Sequence, residues 1–330
     1  MNTTPKISVI MSVYNSGAFL SESIESVLNQ SFSDFEFIII DDGSNDNSVE
    51  IINKFTKKDT RIRPIFNPRN IGYVGFIRNL NRGMDLAQGK YIARIDSDDV
   101  MFPDRLRLQY DYLEKTSDVF LVGGSFEYID KNGKKISDCV IELNNNEIIK
   151  QFPLNNPIHH PTVMFRHNKN VHYREKALYC EDRDLWFRLS LLGKKFTITK
   201  DIVLKYRIHS SSESNSKNKL QVAFISHVNR WFTESKKDSF DSYEKFDPRD
   251  ILDKNLNSFA RQMNNDVLLE SREIKFYFRG NDNDMKEFRR RSRFFWKKNG
   301  LLSWKAGYVY YFFSSMPTFI IRLYKKVIWG

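Results

Sequence analysis

Several short polar clusters in this chain have the residue types and spacing that chemistry requires. Asp96-Ser97-Asp98-Asp99, Asp41-Asp42 and Tyr14-Asn15 each end an apolar, β-branched run. Carboxylates two residues apart at the end of a strand point the same way along the pleat, so Asp96 and Asp98 can reach one hard cation and the diphosphate it neutralises. A calcium loop is disfavoured, because its sixth and twelfth positions would be Met101 and Arg107 instead of Gly and Glu. Glu181-Asp182 opens a helical run. Acids in a first turn complement the helix dipole, and a carboxylate there can equally take a proton from an attacking hydroxyl. No Ser–His–Asp pattern competes for that work. His160, in His-Pro-Thr, and His209, in Tyr-Arg-Ile-His, are each candidates for a ligand or a structural histidine.

The elements that must position these groups are legible in the first hundred residues. Ile7–Val13, Phe35–Ile40, Ile62–Phe66 and Tyr91–Ile95 read as buried strands. Between them lie helical patterns over Leu20–Gln30, over the run with Val49, Ile52 and Phe55 that Asp46 is expected to cap, and over Val74–Ala87, which Gly89 is expected to stop. Alternation of this kind predicts an α/β fold with a mostly parallel sheet and helices on both faces. Ligands bind beyond the carboxyl ends of such strands, where all three polar clusters fall. Further on, Pro103 begins a helix to about Thr116, Val119–Gly123 and Phe126–Ile129 read as two strands, and Lys131–Lys134 as a hairpin turn. Thr162–Phe165 and Ile202–Ile208 read as strands. Glu181–Leu192 reads as a helix closed by Gly193, with Leu185, Leu189 and Leu192 as its core face. Ser210–Ser216 reads as a loop, and from Lys219 the pattern is helical.

Composition narrows the class. At 330 residues with 41% hydrophobic and 14% aromatic content, the chain can bury a core and is not disordered throughout. Two cysteines, Cys139 and Cys180, cannot make a disulfide framework and suit a reducing compartment. The net charge of +11 is concentrated in a tail: residues 286–330 hold eleven Lys/Arg against one acid, Glu287, a net of +10, which leaves about +1 for residues 1–285. Nucleic-acid binding across the fold is thereby disfavoured. Arg289-Arg290-Arg291-Ser292-Arg293 followed by Phe294-Phe295-Trp296 and the aromatic stretch Trp304–Phe319 is the pattern of a segment lying on an anionic membrane surface. The same aromatics suit a helical hairpin packed on the body. The uncharged run Ala306–Ile321 is short for a span and broken by Pro317. No signal peptide is visible, so the expected location is cytoplasmic, peripheral at the inner face of the membrane.

The order of these motifs resembles glycosyltransferase family 2, the inverting transferases of GT-A fold, and within it the bacterial members that build capsule, exopolysaccharide or lipopolysaccharide. The resemblance rests on Ser8–Asn15, Ile40–Ser44, Leu80–Gly83, Gly89–Asp99, Pro103–Leu106, His160–Arg166, Glu181-Asp182 with Leu185-Trp186, and Tyr206–His209. It implies a nucleotide-sugar-binding catalytic domain over 1–216 and is silent beyond Lys217, where the chain's own pattern predicts a helical C-terminal region over 217–330. It also implies roles. Tyr14 stacks on the base and Asp42 accepts its hydrogen bond, with Ser12, Asn15 and Ser97 beside the nucleotide sugar. Asp96 sits near the ribose and metal, Asp98 ligates a divalent Mn2+ or Mg2+, and His209 matches a position that touches the metal or diphosphate. Asp182 is the implied general base. His160 and Glu181 fall on the acceptor side, and Trp186 lines the acceptor pocket or packs in the core. Where many relatives carry Arg-Asn this chain has Leu80-Asn81, so a diphosphate contact passes to Arg78, nearly a turn earlier. The implied partners are a uridine diphosphate sugar and a glycan or lipid-linked acceptor, with no nucleic acid. Two rivals are a sugar-phosphate nucleotidyltransferase, which would carry a Gly-rich basic turn where this chain has Tyr14-Asn15-Ser16-Gly17, and a non-catalytic nucleotide-sugar-binding protein.

Overall fold

The computed structural model describes residues 4–152, 156–209, 218–238 and 248. The first four strands, β1 (Ile7–Val13), β2 (Phe35–Asp41), β3 (Ile62–Phe66) and β4 (Tyr91–Arg94), are joined by α1 (Leu20–Leu28), α2 (Ser48–Thr56) and α3 (Tyr73–Leu86). They lie in the order β3-β2-β1-β4, all parallel, with Ile7 level with both Phe35 and Tyr91. A strand covered on both faces has no solvent side. This is why β2, FEFIIID, is buried at every position and reads as an unbroken apolar run. Ile7, Val9, Met11 and Val13 pack with Leu20, Ile24 and Val27 of α1, Ile52 and Phe55 of α2, and Leu106 and Leu113 further on. Ile10 points the other way, against Gly83 of α3, where an added Cβ would come within 2.6 Å of it. Helices therefore cover both faces. Each fully buried Ile or Phe in these layers contributes roughly 1.5–3 kcal/mol.

Beyond β4 the sheet becomes mixed. The chain continues through β5 (Val100–Met101), α4 (Arg105–Lys115), β6 (Val119–Ile129), β7 (Lys135–Cys139), α5 (Asn145–Gln151), a 3-10 turn (His160–Thr162), β8 (Met164–Arg166), α6 (Glu181–Leu191) and β9 (Lys195–Arg207). β8 pairs antiparallel with both β4 and β6, so β6 runs in the direction of β4. β9 is parallel to β6 and therefore also runs that way. Its carboxyl end, with His209 just beyond it, comes out on the same rim as the ends of β1, β2 and β4. β5 pairs antiparallel with β9, Val100 beside Lys205 and Met101 beside Leu204. That pairing ties the segment immediately after Asp99 to the end of the last strand.

Several local expectations are corrected. Val119–Ile129 is one strand, crossing Gly123-Gly124 with shifts of register against β9, where an added Cβ on Gly124 would meet Val203 at 2.5 Å. The strand expected at Thr162–Phe165 starts at Met164, because His160–Thr162 forms the 3-10 turn. β9 begins seven residues before the expected Ile202, and α5, opened by an Asn144–Glu147 capping box, is an additional helix. α3 ends at Leu86 with Ala87 extended. Gly89 does not stop the helix through a left-handed backbone but lets its chain approach β1, since a Cβ would lie 2.5 Å from the Ser8 nitrogen. Asp46 stands one residue outside the cap of α2; its two carboxyl oxygens accept from the Ser48 and Gly17 amides. Leu185 and Leu189 are core, whereas Leu192 is 72% exposed, since the helix ends at Leu191 and Gly193 turns with φ 72°.

A further helix, α7 (Asn218–Asp238), belongs to a second compact unit. Phe224, Val228 and Trp231 are buried along it at helical spacing. The loop expected at 210–216 and the basic aromatic tail at 286–330 lie outside the described residues. Among the described residues no helix is long and apolar enough to cross a membrane.

Candidate active site

The rim is held together by side chains that bridge strand ends. After β1 the Asn15 amide donates to Ser44 Oγ at 2.9 Å, and Asn15 Oδ1 accepts from the Asn45 amide at 2.8 Å, so the loops after β1 and β2 form one surface. Asn15 pays for this with a φ of 48°, which asparagine tolerates better than bulkier residues. Tyr14, 46% exposed, presents an open ring on that surface. Ser97 Oγ bonds Ser16 Oγ at 2.6 Å, tying the acidic loop to the same place.

Asp42 is buried and held at both oxygens: Asn67 Nδ2 donates to Oδ1 at 2.9 Å, and Asn70 Nδ2 donates to Oδ2 at 2.7 Å. Asn67 also reaches Asn79 Oδ1 at 2.8 Å, and Asn79 Nδ2 donates to Ser12 Oγ at 3.1 Å. Gly75 presses against the carboxyl, since a Cβ there would lie 2.7 Å from Oδ2. The preceding residue, Asp41, takes the Gly43 and Ser44 amides on Oδ2 and shapes the turn.

Asp96, Asp98 and Asp99 bring carboxyl oxygens within 4.8 Å of one another. Asp96 is paired with the buried Arg94 guanidinium. Its pKa is raised to about 6, because burial, opposed by the Arg94 charge and reinforced by Asp98, disfavours the ionised form. Asp99 is buried; desolvation and its two acidic neighbours push its carboxyl well up. Its Oδ1 accepts from the Arg207 amide at 2.9 Å, while its buried Oδ2 has no hydrogen-bond partner. His209 Nε2 lies 2.8 Å from Asp98 Oδ2, and Arg207 Nε donates to the Asp98 carbonyl at 2.8 Å. Three crowded carboxyls beside an imidazole, with one orphaned oxygen, are a donor set suited to a hard divalent cation.

Glu181 and Asp182 occupy the first turn of α6. Asp182 is partly buried, with Asn156 Nδ2 donating to its Oδ2 at 3.0 Å. Glu181 is buried, accepts from the Tyr73 hydroxyl at 2.8 Å, and faces His160 Nδ1 at 3.4 Å. Burial raises the Glu181 carboxyl, and Arg94 partly offsets this. Arg94 thus acts on both acidic centres: its own pKa is raised by Asp96 and Glu181 against the cost of burial.

The structure therefore brings Ser12, Tyr14, Asn15, Asp42, Asp96, Ser97, Asp98 and His209 to one rim. Arg78 is not engaged with the acids: it lies on the exposed side of α3 in a bidentate pair with Glu175, at 3.0 and 2.9 Å. The acceptor-side expectation is also corrected. His160 and Glu181 are buried, and Trp186 is wholly so, edge-on to His160 and Phe165, so these three form a support beneath the surface. Sequence reasoning assigned nothing to Asp99, Asn67, Asn70, Asn79 or Tyr73. Arg207 had a signal, its place inside Tyr-Arg-Ile-His, but its contacts depend on strand pairing.

A mixed α/β sheet thus carries, at the carboxyl ends of its parallel strands, one polar rim with an Asp-rich cluster. The sequence profile of glycosyl transferase family 2 matches residues 8–180, and the chain belongs to that family. An uncharacterized glycosyltransferase of Methanocaldococcus jannaschii, MJ1057, is 38% identical over 66% of this chain and 76% of its own length. The O-antigen biosynthesis glycosyltransferase WbnJ of Escherichia coli is 35% identical over 64% of this chain and 82% of its own. The fold is that of S. aureus TarS, matched at TM-score 0.59 and 16% identity over 91% of this chain and 50% of that longer one. TarS 1-349 in complex with UDP-GlcNAc matches at TM-score 0.55 and 18% identity, over 89% and 92% of the two chains.

Proposed function

We propose that this glycosyltransferase moves a hexose or N-acetylhexosamine from a uridine diphosphate donor to a hydroxyl of a lipid-linked or surface glycan, inverting the anomeric carbon. The observation that carries this reading is the meeting of His209 with Asp98, beside Asp96 and Asp99, on the rim that also holds Tyr14 and Asp42. The O-antigen role named for the Escherichia coli relative supports the acceptor class, and the UDP-GlcNAc complex of TarS supports the donor.

Tyr14 offers its exposed ring to the base, and Asp42, fixed by Asn67 and Asn70, accepts a base N–H. Ser12, Asn15 and Ser97 bound the same groove. Asp98 and His209, with Asp96 and Asp99 beside them, would hold Mn2+ or Mg2+, which when bound neutralises charge on the departing diphosphate. Asp182, in the first turn of α6, takes the acceptor proton. Attack from the face opposite the leaving group gives inversion. The catalytic domain covers 1–216, and the basic tail at 286–330 attaches the enzyme to the anionic inner face of the membrane.

The test is UDP release by the full chain from a panel of UDP-hexoses and UDP-N-acetylhexosamines, with Mn2+, with Mg2+ and with excess EDTA. Release with metal, lost in EDTA and in Asp98→Asn, is expected. Full activity in EDTA overturns the metal assignment, and no release from any donor overturns the reading.

A further inference from the structure

Tyr73, the first residue of α3, grips the entrance of α6 at two points. Its hydroxyl donates to Oε2 of Glu181, and its ring packs on Tyr179 with centroids 4.3 Å apart. Tyr179 has a φ of 62°, the left-handed region, which a bulky L-residue enters only when its surroundings hold it there. Such held residues concentrate at functional sites. Tyr179 and Glu181 stand on either side of Cys180, the residue that caps α6.

The grip is part of a ring of contacts that is half-buried at its ends on α3. Oε1 of Glu181 faces His160 Nδ1, and His160 Nε2 lies 2.8 Å from the Tyr173 hydroxyl. The Tyr173 backbone is clasped by Asn81, whose Oδ1 accepts from the Tyr173 amide at 2.8 Å and whose Nδ2 donates to its carbonyl at 2.9 Å. Asn81 lies on α3, two turns beyond Tyr73, so the ring starts and ends on one helix. Burial and the Arg94 charge push the His160 imidazole well below its ordinary pKa, and Asp182 opposes them. His160 thus stands between the two, with Nδ1 facing Glu181 at 3.4 Å and Nε2 at hydrogen-bond distance from the Tyr173 hydroxyl. What this ring frames is the first turn of α6, and the residue after Glu181 is Asp182.

We propose that Tyr73 is a positioning residue for sugar transfer, fixing Tyr179 and Glu181 so that Asp182 leaves the start of α6 in the direction of the acceptor hydroxyl. This rests on Asp182 being the proton acceptor. α3 also carries Gly75, pressed against the Asp42 carboxyl, so one helix sets both the nucleotide end and the proton-accepting end of the site.

The test uses the full chain and whichever UDP-sugar of the panel the wild type turns over fastest. Tyr73→Phe keeps the ring and loses the hydroxyl; it should lower kcat about tenfold, the scale of one charge-assisted hydrogen bond, with donor KM and UDP affinity unchanged. Tyr73→Leu loses both contacts and should lower kcat about 10²-fold, the scale of a misplaced catalytic group. A residue acting through Asp182 loses its effect once Asp182 is gone, so adding Tyr73→Phe to Asp182→Asn, assayed at high enzyme concentration, should change kcat no further. Unchanged kcat in Tyr73→Phe, or weakened UDP binding in step with kcat, overturns the inference, as does the same tenfold loss in the Asp182→Asn background. A wild type that releases no UDP from any donor instead fails the functional reading itself.

Discussion

The imidazole of His209 and the carboxyl of Asp98 stand within hydrogen-bond distance, Nε2 to Oδ2 at 2.8 Å, although 111 residues separate them. β5 and β9 make the contact possible. Their pairing lays Val100 beside Lys205, the Arg207 amide reaches Asp99, and its guanidinium reaches the Asp98 carbonyl. The acidic loop is thereby fixed to the last strand before any ligand arrives. A preorganised donor pair loses little freedom on binding a cation, which is the reason to expect it to matter for affinity.

His209→Ala should therefore raise the Mn2+ concentration needed for half-maximal UDP release by about 10–100-fold while leaving activity at saturating metal largely recovered. A metal titration of UDP release measures this. An unchanged midpoint would remove His209 from the metal-holding set.

Asp182→Asn should bind UDP in the presence of metal as the wild type does, yet transfer sugar ~10²-fold more slowly or worse, the scale of general-base catalysis. Calorimetry of UDP binding beside single-turnover kinetics separates the two. Normal transfer by Asp182→Asn with a dead Glu181→Gln would assign the base to the other acid of the pair.

Gly75→Ala should weaken UDP binding without touching the nucleotide. An added Cβ would lie 2.7 Å from Oδ2 of Asp42, and that carboxyl cannot swing aside freely because Asn67 and Asn70 hold it. Overpacking of this kind costs about 1–3 kcal/mol, so the UDP dissociation constant should rise about tenfold or more. Equal affinity for UDP in the two proteins would separate Asp42 from base recognition.

His160 should contribute a pH dependence to stability. Burial, reinforced by Arg94 and opposed by Asp182, holds its pKa well below the ordinary 6.5; Tyr173, Glu181 and Trp186 pack around it. Below about pH 6.5 the unfolded chain takes up a proton that the folded chain refuses. Stability is therefore lost as pH falls, by about 1.4 kcal/mol per unit. Raised carboxyls such as Glu181 contribute the opposite sign, so the quantity to read is the difference between wild type and His160→Gln in denaturant melts from pH 7.5 to 5.5. Identical slopes would mean that folding leaves proton binding at His160 unchanged.

The tail should hold the enzyme on anionic membranes through charge. With +10 over residues 286–330 and about 1 kcal/mol per basic residue near the surface, attachment to phosphatidylserine vesicles should be reversed by high salt or carbonate. A chain ending before Lys286 should stay off the vesicles. Retention through carbonate would mean that the segment inserts.

The sequence by itself determined the elements whose periodicity is local. β2 is read correctly because a strand buried on both faces writes an unbroken apolar run, and Asp41-Asp42 stand out because the run stops there. Asp96 and Asp98 are legible because they follow directly on the apolar run of β4, whereas the convergence of their carboxyls is set by the turn beyond that strand. The tertiary structure decided the partners. Whether His209 meets Asp98, whether Arg78 faces a diphosphate or pairs with Glu175, and whether Tyr73 reaches Glu181 across 108 residues depend on which strands pair and in what register. The same holds for burial at the ends of elements, where Leu192 continues a helical stripe yet stands in solvent because the helix stops one residue earlier. Local patterns fix what a residue is capable of, and long-range strand pairing fixes what it touches.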